Sequence, residues 1–406
     1  MLKILFSASF FKIIVIFLNL IIPAIVIRFY SAYDFGIYSY FLAYAIVVSI
    51  LQNGMTASFR NVISNLPEKE ILYYLLFTVK KISRPIILTM ILVGGATILI
   101  VGYNSIYAKI IIFILSSLVN LFYPLVSSYF DTKGSTVKFV LYEILFSILS
   151  LLVVYILSFL GLGIFLICII TVNYRGVYAI SILIYNAVKL YKTREKSVNC
   201  GNYIIFGFND ILFSAIQIVN VLNSLLFMNM LARHYGIIAF GIFSLYYRFV
   251  SFPQQIVGFS SSLIWIKFRQ VYFSNIETSR SFIKKLFSSF IISLMLWAIL
   301  VHFSMDKVIQ IYSSKDLVYP GHLALLNVMI CLILFKDFSS IILNALNIYK
   351  IQLILNFILL LLNFYFWNLV DTTSFDSLYI IAISALNFIC VIMNLYLIKK
   401  KVFNKC

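Results

Sequence analysis

Apolar runs of about 20 residues recur along the whole of this 406-residue chain, and each is long enough to cross roughly 30 Å of hydrocarbon. Twelve such spans are expected, at about 8–28, 36–59, 84–102, 108–130, 139–159, 162–186, 205–231, 240–264, 284–303, 321–346, 350–370 and 377–398. With hydrophobic residues at 63% and charged residues at 11%, a soluble domain is excluded. Lys12 interrupts the first apolar run, and no small-residue cleavage site follows it, so this run reads as a retained helix rather than a signal peptide.

The charges orient the spans. A formal net charge of +18 would suit a nucleic-acid partner if it were gathered in one patch, but it lies between the apolar runs. Alternate connections carry 22 Lys and Arg on one side and five on the other, whereas the acidic residues divide five and five. That is the positive-inside pattern, so nucleic acid is not an expected partner and both termini are expected in the cytoplasm. The five cysteines, Cys168, Cys200, Cys331, Cys390 and Cys406, have no metal-ligand spacing, so neither disulfides, metal nor cofactor is expected.

The chain also contains one stretch twice. Arg28–Ser39 reads RFYSAYDFGIYS and Arg233–Ser244 reads RHYGIIAFGIFS, with six of twelve positions identical at a constant offset of 205. Each copy joins two apolar runs, so each is expected to be a hairpin. Tyr30 and Tyr235 suit the lipid–water interface, and Gly36 and Gly241 are expected to make the turn. Six spans per half, both halves starting on the same side, imply parallel repeats. The expected fold is therefore an all-α polytopic membrane protein, with twelve transmembrane helices in two parallel six-helix repeats around a central cavity. Its divisions are 1–188, a cytoplasmic linker at 189–204 containing KLYKTREKSVNCGN, and 205–406.

Polar residues inside the spans fall at helical spacing. The second span carries Ser49, Gln52, Asn53, Thr56 and Arg60, and the eighth carries Ser244, Arg248, Ser251 and Gln255. The seventh has Asp210, Ser214, Gln217, Asn220 and Ser224, and the first has Lys12 and Asn19. Any one of these can be helix–helix glue, but matched stripes on spans 1, 2, 7 and 8 favour a shared aqueous cavity. Lys12, Arg175, Arg248, Lys336, Asp210 and Asp337 lie within spans, with Glu143 near a cytoplasmic end. An ionised group at mid-membrane costs at least about 2.5–3.5 kcal/mol, so such groups mark a pathway. Lys12 could instead snorkel to the surface. Lys336 and Asp337 point about 100° apart on a helix, so a neighbouring helix is expected to partner one of them. The candidate substrate-binding set is Arg248, Arg60, Lys12, Arg175, Lys336, Gln52, Asn53, Ser251 and Gln255. Asp210 and Asp337 are the candidate ion-coupling carboxylates. Pro23, Pro85, Pro124 and Pro253 mark possible bends within spans, with Pro253 beside a polar stripe.

YDFGIYSY at Tyr33–Tyr40 and AFGIFSLYYRF at Ala239–Phe249 resemble the polysaccharide-transporter family, the O-antigen flippases of the multidrug/oligosaccharidyl-lipid/polysaccharide exporter superfamily. SSYFDTKGS at Ser127–Ser135 and NALNIYK at Asn344–Lys350 add to the resemblance, in which Arg248 stands where the family often has a basic residue. The resemblance implies two six-helix bundles around a cavity lined by spans 1, 2, 7 and 8. It also implies a non-enzymatic flippase that carries an undecaprenyl-pyrophosphate-linked oligosaccharide, an O-antigen or related repeat unit, to the outer leaflet of a bacterial inner membrane. Membrane lipid and a polysaccharide polymerase machinery would be its partners. Two other readings compete. A cation-coupled small-molecule exporter of the same fold needs a buried carboxylate at its centre. A membrane-bound polysaccharide polymerase or acyltransferase would want a large external arginine-bearing loop or an intramembrane histidine.

Overall fold

The computed structural model describes residues 2–45, 47–48, 52, 56, 59–60, 62–63, 66–102, 105–193, 208–313, 323–369 and 375–403. Among these, all regular structure is helical. The first half contains α1 (Leu2–Phe29), α2 (Ala32–Tyr44), α3 (Glu68–Val101), α4 (Ile106–Ser117), α5 (Phe122–Thr132), α6 (Thr136–Phe159) and α7 (Ile164–Thr193). The second contains α8 (Phe208–Val250), α9 (Phe252–Ser274), α10 (Ile276–Ser313), α11 (Leu323–Ala345), α12 (Lys350–Trp367) and α13 (Phe375–Ile398).

Ten helical stretches among the described residues are long and apolar enough to cross a membrane, and the chain is a multi-pass membrane protein. The difference from twelve has two sources. Much of the second span lies outside the described residues, and α8 runs through the expected seventh span into the eighth across a break at Gly236. Helix ends also differ from apolar ends. The third span is expected from residue 84, yet α3 begins at Glu68 and runs for 34 residues, about 51 Å at 1.5 Å each. Lys80, Lys81 and Arg84 end the apolar run without ending the helix, because both residue types are good helix formers.

The chain divides into two compact units, one of Met1–Tyr30 with Ile37–Gln217, the other of Ser31–Gly36 with Ile218–Cys406. In the first, α1 packs along α6, α6 on α7, and α5 on α7. In the second, α11 packs along α13 and against α9. Residues 194–207, most of the expected linker, lie outside the described residues.

The repeated stretch turns five residues earlier than expected. Gly36 and Gly241 both lie inside helices, at ordinary helical φ. The first turn is made at Ser31, whose hydroxyl donates to Asp34 Oδ2 at 2.6 Å and accepts from the Asp34 N–H at 3.1 Å, a cap on α2. The second is made at Gly236, with φ 79° and ψ 168°, a conformation that side chains disfavour. Ser31 and Gly236 are equivalent under the 205-residue offset, so one register is turned by two different devices. Gly36 and Gly241 serve close packing instead. A β-carbon on Gly36 would lie 2.3 Å from the Ile237 carbonyl oxygen, and one on Gly241 would lie 3.0 Å from the Gly36 Cα. Tyr30 donates its hydroxyl to the Leu162 carbonyl, tying the end of α1 to the turn between α6 and α7.

The prolines act differently from one another. Pro23 and Pro85 sit inside continuous helices. Pro253 opens α9, just after Ser251 leaves helical geometry. Pro124 follows a 3-10 turn at Leu118–Leu121 and has no N–H to offer the Asn120 carbonyl. Gln52 Nε2 donates to that carbonyl instead, at 2.9 Å.

Candidate functional site

The fifth span holds the group around which the first unit's charges gather. Glu143, Ser147, Ser150, Val154 and Ser158 are all buried, at i, i+4, i+7, i+11 and i+15 along one face of α6. Glu143 has no solvent exposure and lies inside the bundle, about two turns from the start of α6. The Lys12 ammonium, from α1, donates to Glu143 Oε1 at 2.7 Å and to Oε2 at 2.6 Å. It also donates to the Tyr123 hydroxyl at 2.7 Å, and that hydroxyl donates to Glu143 Oε2 at 2.8 Å. Three groups from three helices thus close a triangle. Lys12 does not snorkel: it is 5% exposed, because a wholly buried carboxylate is within reach and a buried ion needs a partner.

Arg175 completes the cluster. Its Nε lies 3.4 Å from Glu143 Oε1 and donates to the Tyr174 hydroxyl at 3.0 Å, while its guanidinium stands 5.7 Å from the Tyr123 ring centroid. Asn19, one of the expected first-span polar residues, donates to the same Tyr174 hydroxyl at 2.8 Å. Gly176 lets α7 approach the 3-10 turn, since a β-carbon there would meet Val119 backbone at 2.6 Å; its N–H bonds to Asn120 Oδ1 at 2.9 Å. Arg175 is the accessible member, with a side chain 36% exposed against 7% for Lys12. With Lys12 and Arg175 charged and Glu143 ionised, the cluster has a net positive charge. Such a set can bind a small cation at the carboxylate or an anion at the guanidinium.

Each of the other expected site residues has its own surroundings within its unit. Gln52 and Arg60 face the fourth span: Arg60 Nε donates to Ser128 Oγ at 3.0 Å. Asn53 lies outside the described residues, as does the side chain of Asp210. Arg248 is half-buried on α8, Ser251 is buried, and Gln255 is exposed. The spacing that joined Ser244, Arg248, Ser251 and Gln255 assumes one unbroken helix, and the break at Ser251 removes that register. Gln254 turns inward in place of Gln255, donating to Asp337 Oδ2 at 3.1 Å. Lys336 Nζ is 3.8 Å from Asp337 Oδ1, a loose ion pair, so the neighbouring helix does supply Asp337 with a closer partner.

The second unit has no cluster of this kind among its described residues. Spans 7 and 11, the counterparts of 1 and 5, are joined by amides. Asn223 Nδ2 donates to the Asn356 carbonyl at 3.2 Å, Asn363 Nδ2 to Asn223 Oδ1 at 2.8 Å, and the Tyr379 hydroxyl to Asn363 Oδ1 at 2.8 Å.

No family model and no curated protein matches the chain. Among solved structures, it is similar to an outward-facing multidrug resistance MATE family transporter of the MOP superfamily, with TM-score 0.70 and 14% identity over 99% of this chain and 96% of that one. A MOP superfamily transporter from Pyrococcus furiosus Vc1 (DSM3638), described as having a binding pocket of reversed polarity, gives TM-score 0.70 and 13% identity, again over 99% and 96%. A crystal structure of MATE in complex with MaL6 gives TM-score 0.69 and 13% identity over the same shares. At these identities the likeness is one of fold, and it spans essentially the whole chain.

Proposed function

We propose that the chain is an alternating-access exporter of an organic solute, driven by cation coupling at Glu143. The observation that carries this reading is the wholly buried carboxylate bridged by Lys12 and Tyr123. A cation-coupled exporter needs such a centre, a role for which Asp210 and Asp337 are the candidates by sequence spacing. Ionised groups inside the membrane are expensive and mark ion or substrate pathways. The fold neighbours include proteins described as multidrug resistance transporters, which supports export over catalysis.

Lipid-linked oligosaccharide flipping is the second reading, favoured by one observation. Arg175 is partly accessible and held against Tyr174 and Tyr123, while Lys12 neutralises Glu143. The surplus positive charge suits a pyrophosphate group, as in an undecaprenyl-pyrophosphate-linked oligosaccharide at a bacterial cytoplasmic membrane. Polymerase machinery would then be a downstream partner. Arg60, Arg248 and Lys336 are further candidate contacts under this reading.

Reconstitution into liposomes separates the two. Under an imposed cation gradient, the exporter reading expects accumulation of fluorescent organic solutes above protein-free controls. It expects no transfer of lipid-linked oligosaccharide to the leaflet accessible to an added glycosidase. Transfer of the lipid-linked sugar without solute movement would replace the first reading by the second.

A further inference from the structure

The ammonium of Lys12 sits where three oxygens converge: both carboxylate oxygens of Glu143 and the hydroxyl of Tyr123, at 2.6–2.7 Å. An ammonium has three N–H donors, and these oxygens accept them as they would ligate a small metal cation. We infer that Lys12 is a tethered cation occupying the cation site of Glu143, so that free Na+ or K+ does not bind there. The inference deepens the exporter reading by restricting its coupling ion, and its geometry stands apart from that reading.

Charge balance supports it. The cluster holds two cations and one carboxylate. A free metal ion would add a third positive charge at a place from which water is largely excluded, where repulsion between like charges is strong. Arg175 cannot replace Lys12 as the occupant, since its Nε stands 3.4 Å from Glu143 and is committed to Tyr174 at 3.0 Å. Removing the Lys12 amine leaves Glu143 and Arg175 with no net charge between them. One bound monovalent cation then restores the original balance.

A proton is the ion that the occupied site can still take. A proton from water adds to a Glu143 oxygen, makes it an O–H donor and removes one of the three acceptors of Lys12. The charged and titratable groups facing Glu143 or its partners are Lys12 of α1, Tyr123 and Asp131 of α5, and Tyr174, Arg175 and Tyr178 of α7.

Thermal unfolding of the purified full-length protein tests the inference, with NaCl exchanged for choline chloride at constant ionic strength. Wild-type protein should show the same Tm in both salts. Lys12→Ala should melt lower in choline and gain about 2 °C or more in Na+. That gain should vanish in Lys12→Ala/Glu143→Gln. A Na+-dependent rise in the wild type that Glu143→Gln abolishes would overturn the inference, as would a Lys12→Ala protein indifferent to Na+, K+ and Li+. Lys12→Ser provides a similar cavity should Lys12→Ala fail to accumulate, and a Na+ response of the wild type would overturn the inference without either variant. Because the readout is binding rather than flux, a failed cation response leaves the exporter reading intact, and an inactive transport assay leaves this inference intact.

Discussion

Glu143→Leu is expected to destabilise the protein by about 3–5 kcal/mol, the cost of leaving one member of a buried ion pair without its partner. The figure applies to Lys12 and Glu143, whose side chains are 7% and 0% exposed, and not to the more accessible Arg175. Leucine fills the space of the carboxylate, so the loss is electrostatic rather than a cavity. Lys12→Met/Glu143→Leu should recover most of it, since two apolar side chains of similar volume replace a pair whose desolvation offsets much of its attraction. Denaturation of the two single variants and the double variant in detergent checks this. Additive losses in the double variant would show that the two residues do not act as a pair.

Gly36→Val is the second large effect expected. Even a β-carbon at this position lies 2.3 Å from the Ile237 carbonyl oxygen, and the obstacle is backbone, which cannot rotate aside. Overpacking typically costs about 1–3 kcal/mol, and a clash with backbone falls at or above the upper end of that range. Gly241→Ala should cost less, because its contact is 3.0 Å. Without that contact a helical position would tolerate valine, whose helix propensity is no worse than that of glycine. Equal thermal stability of Gly36→Val and wild type would contradict the close-packing role.

The spans were legible because hydropathy over about 20 residues is a strong signal, and ten helical stretches of the described residues carry it. Their polar ends were less so, since Lys80, Lys81 and Arg84 leave an apolar run without leaving a helix. The hairpins show the limit of a repeat argument. The identity of Gly36 and Gly241 marked a real constraint, but it was tight packing, whereas the turns fall at Ser31 and Gly236, where the two copies differ. Lys12 and Arg175 were visible as intramembrane charges, yet their meeting point was not. Glu143 lies near the start of its apolar run, at a cytoplasmic end by the charge pattern, and nothing in its immediate sequence marks it as buried. The signal that would have found it was present: Ser147, Ser150 and Ser158 continue its face down the fifth span at the same helical spacing used for spans 1, 2, 7 and 8. The eighth-span stripe failed for the opposite reason. Its spacing was sound for an unbroken helix, and the break at Ser251 exchanged Gln255 for Gln254.

Coupling at Glu143 is most directly tested by solute flux through Glu143→Gln in proteoliposomes. Glutamine keeps the shape of the side chain and an oxygen for Lys12, and removes only the charge and the proton-accepting site. Equilibrium exchange of solute should persist, while acceleration by an imposed proton gradient should be lost. A Glu143→Gln protein whose flux responds to the gradient as fully as wild type would contradict the account.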